Sequence, residues 1–132
     1  MLVIPPIYND HTQSILIVDD DKMILDLLSE VFTKMYDLTV FKAENGLDGL
    51  DIFEKECIDI VLTDICMPGI DGIELSKRIR NQSPDAKIAV MTGGDADMAK
   101  ELLNDGTANF FFRKPFAISS ICKSLIPEVP MD

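Results

Sequence analysis

Residues 15–21 read Ile-Leu-Ile-Val-Asp-Asp-Asp, an apolar run that ends in three consecutive acids. The run is continuous and rich in β-branched side chains, which is typical of a strand buried on both faces, as in a parallel sheet covered by helices. Four more short apolar runs follow along the chain, at residues 38–41, 58–62, 88–91 and 110–112. We therefore predict five strands, of which the first is Ile15–Val18.

Helical patterns lie between these runs. Apolar residues recur at helical spacing in five stripes: Ile24, Leu27, Leu28, Val31 and Phe32; Leu47, Leu50 and Phe53; Ile73, Leu75 and Ile79; Met98, Leu102 and Leu103; Ile118, Ile121 and Leu125. Most methionines fall at core-facing positions of this pattern and are predicted to pack in the core. Five β–α units in strict alternation predict an α/β fold, a doubly wound parallel sheet with right-handed crossovers.

The chain has 132 residues, which is enough for about one domain. We expect an N-terminal tail at 1–13, one domain over 14–126 and a C-terminal tail at 127–132. No output module follows residue 126, which predicts a stand-alone domain.

Composition and charge exclude several classes of protein. No apolar run approaches the ~20 residues of a membrane helix, so no membrane insertion is expected. Cys57, Cys66 and Cys122 have neither CxxC nor metal-site spacing, which favours reduced thiols in a cytoplasmic protein. The net charge is −11, from 23 acidic and 12 scattered basic residues, which argues against direct nucleic-acid binding.

Polar side chains follow four of the five predicted strands. They are Asp19-Asp20-Asp21, Thr63-Asp64, Thr92-Gly93-Gly94 and Arg113-Lys114-Pro115. Because ligands of such sheets bind beyond the carboxyl ends of the strands, we expect these groups to converge. Crowded carboxylates repel one another unless a cation intervenes, and Mg²⁺ favours carboxylate and phosphate oxygens. The first strand is followed by no glycine-rich phosphate loop, so the pattern predicts a site for a metal and a phosphoryl group.

Four motifs in this order resemble those of the response-regulator receiver domain. They are residues 15–21, residues 62–72 (Leu-Thr-Asp-Ile-Cys-Met-Pro-Gly-Ile-Asp-Gly), residues 91–93 (Met-Thr-Gly) and residues 114–116 (Lys-Pro-Phe). The resemblance covers roughly residues 14–126. It implies a flavodoxin-like three-layer sandwich of five strands in the order 2-1-3-4-5 with five helices, and a cytoplasmic signalling domain rather than a turnover enzyme.

The resemblance also implies how the acidic residues act. Asp64 corresponds to the phosphoacceptor, which takes a phosphoryl group from a sensor histidine kinase or a histidine phosphotransfer protein. Asp20 corresponds to a direct Mg²⁺ ligand, Asp19 to one that acts mostly through water, and Cys66 to a ligand through its backbone carbonyl. Mn²⁺ is the alternative ion.

The remaining implied roles concern the switch. Thr92 and Lys114 correspond to residues that hold the phosphoryl oxygens, and the Lys114–Pro115 peptide is commonly cis in this family. Phe111 corresponds to a switching aromatic residue that repacks the face formed by the fourth helix, fifth strand and fifth helix. A downstream target protein would then recognise this face in the phosphorylated state.

Other interpretations of the same residues remain open from the sequence. Asp21 and its neighbours could simply cap the first helix, and Asp71 could support its turn and the next helix rather than bind the metal. A phosphatase of the haloacid-dehalogenase type would use Asp19 as nucleophile with Thr92 and Lys114 as helpers, but it leaves Asp64 without a role. A receiver that acts only as a phosphorylation-independent adaptor is a further alternative, as is a flavin-binding domain, for whose phosphate the acids after the first strand are unsuitable.

Overall fold

The computed structural model describes residues 13–67, 69–94 and 96–126. Strands and helices alternate strictly along them. In chain order they are β1 (Ser14–Val18), α1 (Lys22–Tyr36), β2 (Thr39–Ala43), α2 (Gly46–Lys55), β3 (Ile60–Asp64), α3 (Gly72–Gln82), β4 (Lys87–Thr92), α4 (Asp97–Asn104), β5 (Phe110–Arg113) and α5 (Ile118–Leu125). The expected tails, apart from Gln13, lie outside the described residues.

The five strands form one parallel sheet in the order β2-β1-β3-β4-β5. Helices α1 and α5 supply the core on one face of the sheet, and α2, α3 and α4 supply the core on the other. The predicted doubly wound three-layer fold is confirmed. Within the described residues, no helix combines the length and hydropathy needed to cross a membrane.

Strand β1 shows why its apolar run is continuous. Leu16 and Val18 belong to the core on the α2–α3–α4 face, whereas Ile15 and Ile17 belong to the core on the α1–α5 face. All four side chains are fully buried. Because β1 pairs with β2 and β3 and is covered on both faces, none of these four positions can carry a polar side chain at low cost.

Each strand extends beyond its apolar run at one end or at both. The third apolar run was 58–62, but β3 begins at Ile60 and ends at Asp64, where Asp64 pairs with Met91 of β4. Similarly, β2 continues to Ala43, which pairs with Val18. The parallel ladder therefore continues through polar residues, and Asp64 and Thr92 are the last residues of their strands rather than the first residues after them.

Some predicted core positions are wrong. Leu27 is 52% exposed and Leu47 is 63% exposed, because the buried stripe of each helix passes along another side. In α1 that stripe runs through Leu25 and Leu28, so Leu27 points away from the sheet. The prediction for the methionines is also wrong: Met67 and Met91 are buried, whereas Met23, Met35 and Met98 are exposed. A helix that covers a sheet buries only one side, and α1 has more apolar residues than fit on that side.

Candidate functional site

Two carboxylates and one ammonium meet at the carboxyl end of the sheet. Lys114 Nζ lies 2.7 Å from Asp19 Oδ2 and 2.9 Å from Asp64 Oδ2. Asp19 is fully buried and Asp64 nearly so, while the Lys114 side chain is 17% exposed. The three residues follow or end three different strands, so only the parallel order of the sheet brings them together.

Backbone hydrogen bonds fix both carboxylates. Asp19 Oδ1 accepts from the backbone N–H of Asp21 at 2.9 Å, and Asp64 Oδ1 accepts from the backbone N–H of Cys66 at 3.1 Å. Each carboxylate therefore uses one oxygen for its own loop and the other for Lys114 Nζ. Asp21 in turn caps α1 by accepting from Met23 N, which confirms the capping interpretation for that residue.

Burial and hydrogen bonds shift the pKa values of Asp19 and Lys114. Burial raises the pKa of Asp19 above its usual value, and this effect exceeds the opposing hydrogen bonds from Lys114 and Asp21. Burial alone would lower the pKa of Lys114, but its hydrogen bonds to Asp19 and Asp64 together raise that pKa above the ordinary lysine value. Lys114 is therefore protonated and positively charged at neutral pH. Its single charge is shared by the side chains of two acidic residues, Asp19 and Asp64.

The acidic residues fit a divalent metal ion. One carboxylate oxygen from each of Asp19, Asp20 and Asp64 lies within 4.8 Å of the others, and Asp20 is exposed to solvent. A set of oxygen donors open to water on one side suits a hard cation such as Mg²⁺, which retains several water ligands. The chemistry of these donors therefore agrees with a metal site at this edge of the sheet.

Thr92 and Phe111, to which the resemblance assigns the switch, lie on the neighbouring strands β4 and β5. The buried Thr92 Oγ1 accepts from the backbone N–H of Gly94 at 3.0 Å, and the Thr92 carbonyl accepts from Lys114 N at 2.8 Å. Phe111 pairs with Val90 and packs, partly buried, against the core on the α2–α3–α4 face. The Lys114–Pro115 peptide is cis, as the resemblance implied.

Two glycines allow close approaches of the backbone around the β3–α3 loop. A Cβ on Gly72 would lie 1.9 Å from the Asp64 carbonyl oxygen, and a Cβ on Gly46 would lie 2.1 Å from the Ile70 carbonyl oxygen. Neither contact can be relieved by a side-chain rotation, because both obstructing atoms belong to the backbone. Glycine at these two positions is therefore needed for the close approach of the backbones, which the sequence by itself did not reveal.

An apolar surface borders the acidic cluster, and sequence reasoning missed it. Ile24, Pro115, Phe116 and the Lys114 side chain line one shallow hollow. Met23, which directly precedes Ile24 in the first turn of α1, is 81% exposed. We call Met23, Ile24, Leu27, Pro115 and Phe116 the α1 apolar patch. Exposed apolar residues that cluster beside a polar site mark a surface for a protein partner more often than isolated ones do.

The geometry agrees with the comparison to protein families. Residues 15–126 match the family described as the response regulator receiver domain. The chain belongs to the response-regulator receiver family. It is therefore a signalling domain of the kind found in two-component systems.

Individual relatives of this receiver support the same conclusion. It is 42% identical over 120 residues to sporulation initiation phosphotransferase F of Bacillus subtilis, covering 90% of this chain and 95% of that protein. It is 32% identical to the transcriptional regulatory protein YesN of Bacillus subtilis, covering 84% of this chain but only 31% of that longer protein.

Solved structures have the same fold as this receiver. The CheY-like receiver domain protein of Methanospirillum hungatei JF-1 superposes with a TM-score of 0.83 at 25% identity, covering 89% of this chain and 94% of that one. Chemotaxis protein CheY4 of Vibrio cholerae gives a TM-score of 0.80 at 25% identity, with 90% and 100% coverage. These comparisons give no support to the haloacid-dehalogenase-type alternative.

Proposed function

We propose that Asp64 is the phosphoacceptor of this receiver and takes a phosphoryl group from a phosphohistidine on a sensor kinase or a phosphotransfer protein. The observation that supports this most is the Asp64 carboxylate itself. It ends a buried strand, it is held by Lys114 Nζ and Cys66 N, and it lies beside two further acids. A carboxylate fixed in this way is oriented for attack on an incoming phosphorus atom.

The transfer exchanges one bond to phosphorus for another. A carboxylate oxygen of Asp64 attacks phosphorus, the new P–O bond forms as the P–N bond to the donor histidine breaks, and the imidazole leaves with the bonding pair. Asp19, Asp20, Asp64 and the Cys66 carbonyl would hold Mg²⁺, or Mn²⁺ in its place. The bound ion supplies positive charge that offsets the developing charge on the phosphoryl oxygens.

Lys114 and Thr92 would stabilise the product. The Lys114 ammonium, now shared by Asp19 and Asp64, has a donor to offer a phosphoryl oxygen as a point charge. The Thr92 hydroxyl donates to another phosphoryl oxygen when it turns toward Asp64. That turn removes the acceptor used by Gly94 N–H and opens space into which the Phe111 ring moves, which changes the face formed by α4, β5 and α5.

The α1 apolar patch is where the phosphodonor docks in this proposal. It adjoins Lys114, so a protein that covers it brings its histidine close to Asp64. Apolar contact also suits a chain with a net charge of −11, because it lets the donor bind without matching every surface carboxylate. The similarity to a phosphotransferase supports partners of the phosphorelay type.

As a signalling domain in the cytoplasm, the protein would catalyse only its own phosphorylation and slow dephosphorylation, and a downstream target would recognise the changed face. Incubation with acetyl phosphate and Mg²⁺, followed by intact mass, tests this. We expect one phosphoryl group on the wild type and none on Asp64→Asn or in EDTA. An adduct that survives Asp64→Asn, or steady turnover of a phosphomonoester, would refute the proposal.

A further inference from the structure

Arg80, on the last turn of α3, binds two loops at the amino end of the sheet. Its Nη1 donates to the carbonyl oxygens of Pro84 at 2.8 Å and Ala86 at 2.7 Å, with a longer contact of 3.4 Å to that of Ser83. Its Nε donates to the Thr107 carbonyl oxygen at 3.1 Å. One half-buried guanidinium thus joins the α3–β4 loop to the loop that follows α4.

Asn109 extends this connection into the sheet. Its Oδ1 accepts from Arg80 Nη2 at 2.9 Å and from the backbone N–H of Ile88 at 2.8 Å, while Asn109 N donates to the Ile88 carbonyl oxygen at 2.7 Å. Thr107 and Ala108 are tied in as well, since Ala108 N donates to the Leu102 carbonyl oxygen. The C-terminal end of α4 and the start of β5 are therefore fixed to β4 and α3.

The N-terminal end of α4 has a different attachment. Its cap residue, Ala96, contributes no side-chain hydrogen bond, and the connection from β4 begins with Gly93 and Gly94. Gly94 N–H donates to Thr92 Oγ1, the hydroxyl that turns toward Asp64 in the proposed function. This end of the helix is thus coupled to the phosphorylation site, whereas the other end is coupled to Arg80.

We propose that Arg80 is a positioning residue that anchors the C-terminal end of α4, so that phosphorylation at Asp64 pivots α4 about this point instead of displacing the whole helix. This rests on the proposed function and adds to it a fixed point for the switch. A guanidinium suits the role because its N–H donors sit on separate nitrogen atoms in a rigid planar fork, whereas an ammonium presents all of its donors from a single atom.

Amide hydrogen exchange, measured with and without Mg²⁺ and beryllofluoride as the phosphoryl mimic, tests the anchor. In the wild type we expect the mimic to change the amide exchange rates of residues 96–100. The exchange rates of the Ile88 and Asn109 amides should stay within about twofold of their values without the mimic. In Arg80→Met we expect Ile88 and Asn109 to exchange at least about tenfold faster, since hydrogen bonds to a charged group are lost, and to respond to the mimic. Arg80→Lys, which keeps the charge, should fall between the two and covers the case in which Arg80→Met does not fold.

The matched control is Arg78→Met on the same helix, which removes an exposed ion pair to Glu74 and should leave the wild-type pattern unchanged. A purely structural role for Arg80 would lower the stability of Arg80→Met but keep the response to the mimic confined to residues 96–100, and that result would overturn the anchor. Failure of the proposed function is distinguishable, because the mimic would then change nothing in the wild type.

Discussion

The charged side chains at the two ends of the parallel sheet have different kinds of partner. At the carboxyl end, the carboxylates of Asp19 and Asp64 share the single ammonium of Lys114, which leaves an excess of negative charge in a largely buried place. At the amino end, the Arg80 guanidinium meets backbone carbonyls and the Asn109 amide, all of them neutral acceptors. A bound cation would therefore stabilise the carboxyl end, where a phosphoryl group could also be held. At the amino end, the hydrogen bonds of Arg80 need no further partner. In the proposed switch, the carboxyl end is the part that changes and the amino end is the part that stays fixed.

The largest effect is expected from Lys114→Met, which breaks the balance at the carboxyl end. Two buried carboxylates would face each other without a cation, so the free energy of unfolding should fall by about 2–3 kcal/mol in EDTA, somewhat less than for a fully buried pair. Mg²⁺ should restore part of this loss. Labelling by acetyl phosphate should fall at least about tenfold, because charge-assisted hydrogen bonds to the phosphoryl group disappear. Equal unfolding energies in wild type and variant would contradict the importance of the buried charge.

A second prediction compares the removal of one carboxylate at the carboxyl end of the sheet with the removal of one at the amino end. Mg²⁺ at about 100 times its Kd should raise the stability of the wild type by about 2.7 kcal/mol, seen as a higher Tm. Asp20→Asn should remove most of this increase, since it deletes one carboxylate of the metal cluster. Asp85→Asn, an exposed acid in the α3–β4 loop at the amino end, should leave the increase intact. The same loss in both variants would mean that Mg²⁺ only screens the overall negative charge.

Gly72→Ala should have a moderate effect. Alanine is more favourable than glycine in a helix by about 1 kcal/mol. However, the Cβ of alanine at position 72 would lie 1.9 Å from the Asp64 carbonyl oxygen, so the backbone would have to move. Overpacking of this kind costs about 1–3 kcal/mol, so the net result should be a less stable protein that is labelled more slowly. Gly93→Ala, whose Cβ would lie 3.7 Å from that of Lys114, should cost far less in chemical denaturation. Wild-type stability and labelling in Gly72→Ala would show that the loop adapts.

Phe111→Ala should have the smallest effect on phosphorylation. It should change only how a target protein binds the face formed by α4, β5 and α5. Phe111 packs on the α2–α3–α4 side of β5 and makes none of the hydrogen bonds of the acidic cluster, so the labelling rate should stay within about twofold. The affinity for a target of the α4–β5–α5 face should change in the phosphorylated state. Unchanged affinity, measured by calorimetry with such a target, would count against the switching role.

Most of the fold could be predicted because the buried strands are continuous apolar runs. β1 is covered on both faces, so its sequence alone reveals a parallel sheet. The helices were harder to orient: Leu27 and Leu47 fit helical stripes but are exposed, because an apolar pattern does not distinguish a core position from a partner surface. The strand limits were missed where ladders continue through polar residues such as Asp64.

The acidic cluster was predictable for a different reason. Parallel strands bring their carboxyl ends to one edge, so the acids after β1, the last residue of β3 and the lysine after β5 had to meet. The structure brings Asp19, Asp20, Asp64 and Lys114 together as expected. Arg80 gave no such signal, because most of its acceptors are backbone carbonyls, and every residue has one of those.

The most direct test is to find which residue carries the phosphoryl group. The wild-type protein would be labelled with acetyl phosphate and Mg²⁺, the acyl phosphate reduced with borohydride, and the reduced position located by peptide mass mapping. We predict reduction at Asp64 alone, in the peptide that contains Cys66. Reduction at Asp19 or Asp20 would contradict the assignment and would make the carboxylates after β1, rather than the end of β3, the reacting groups.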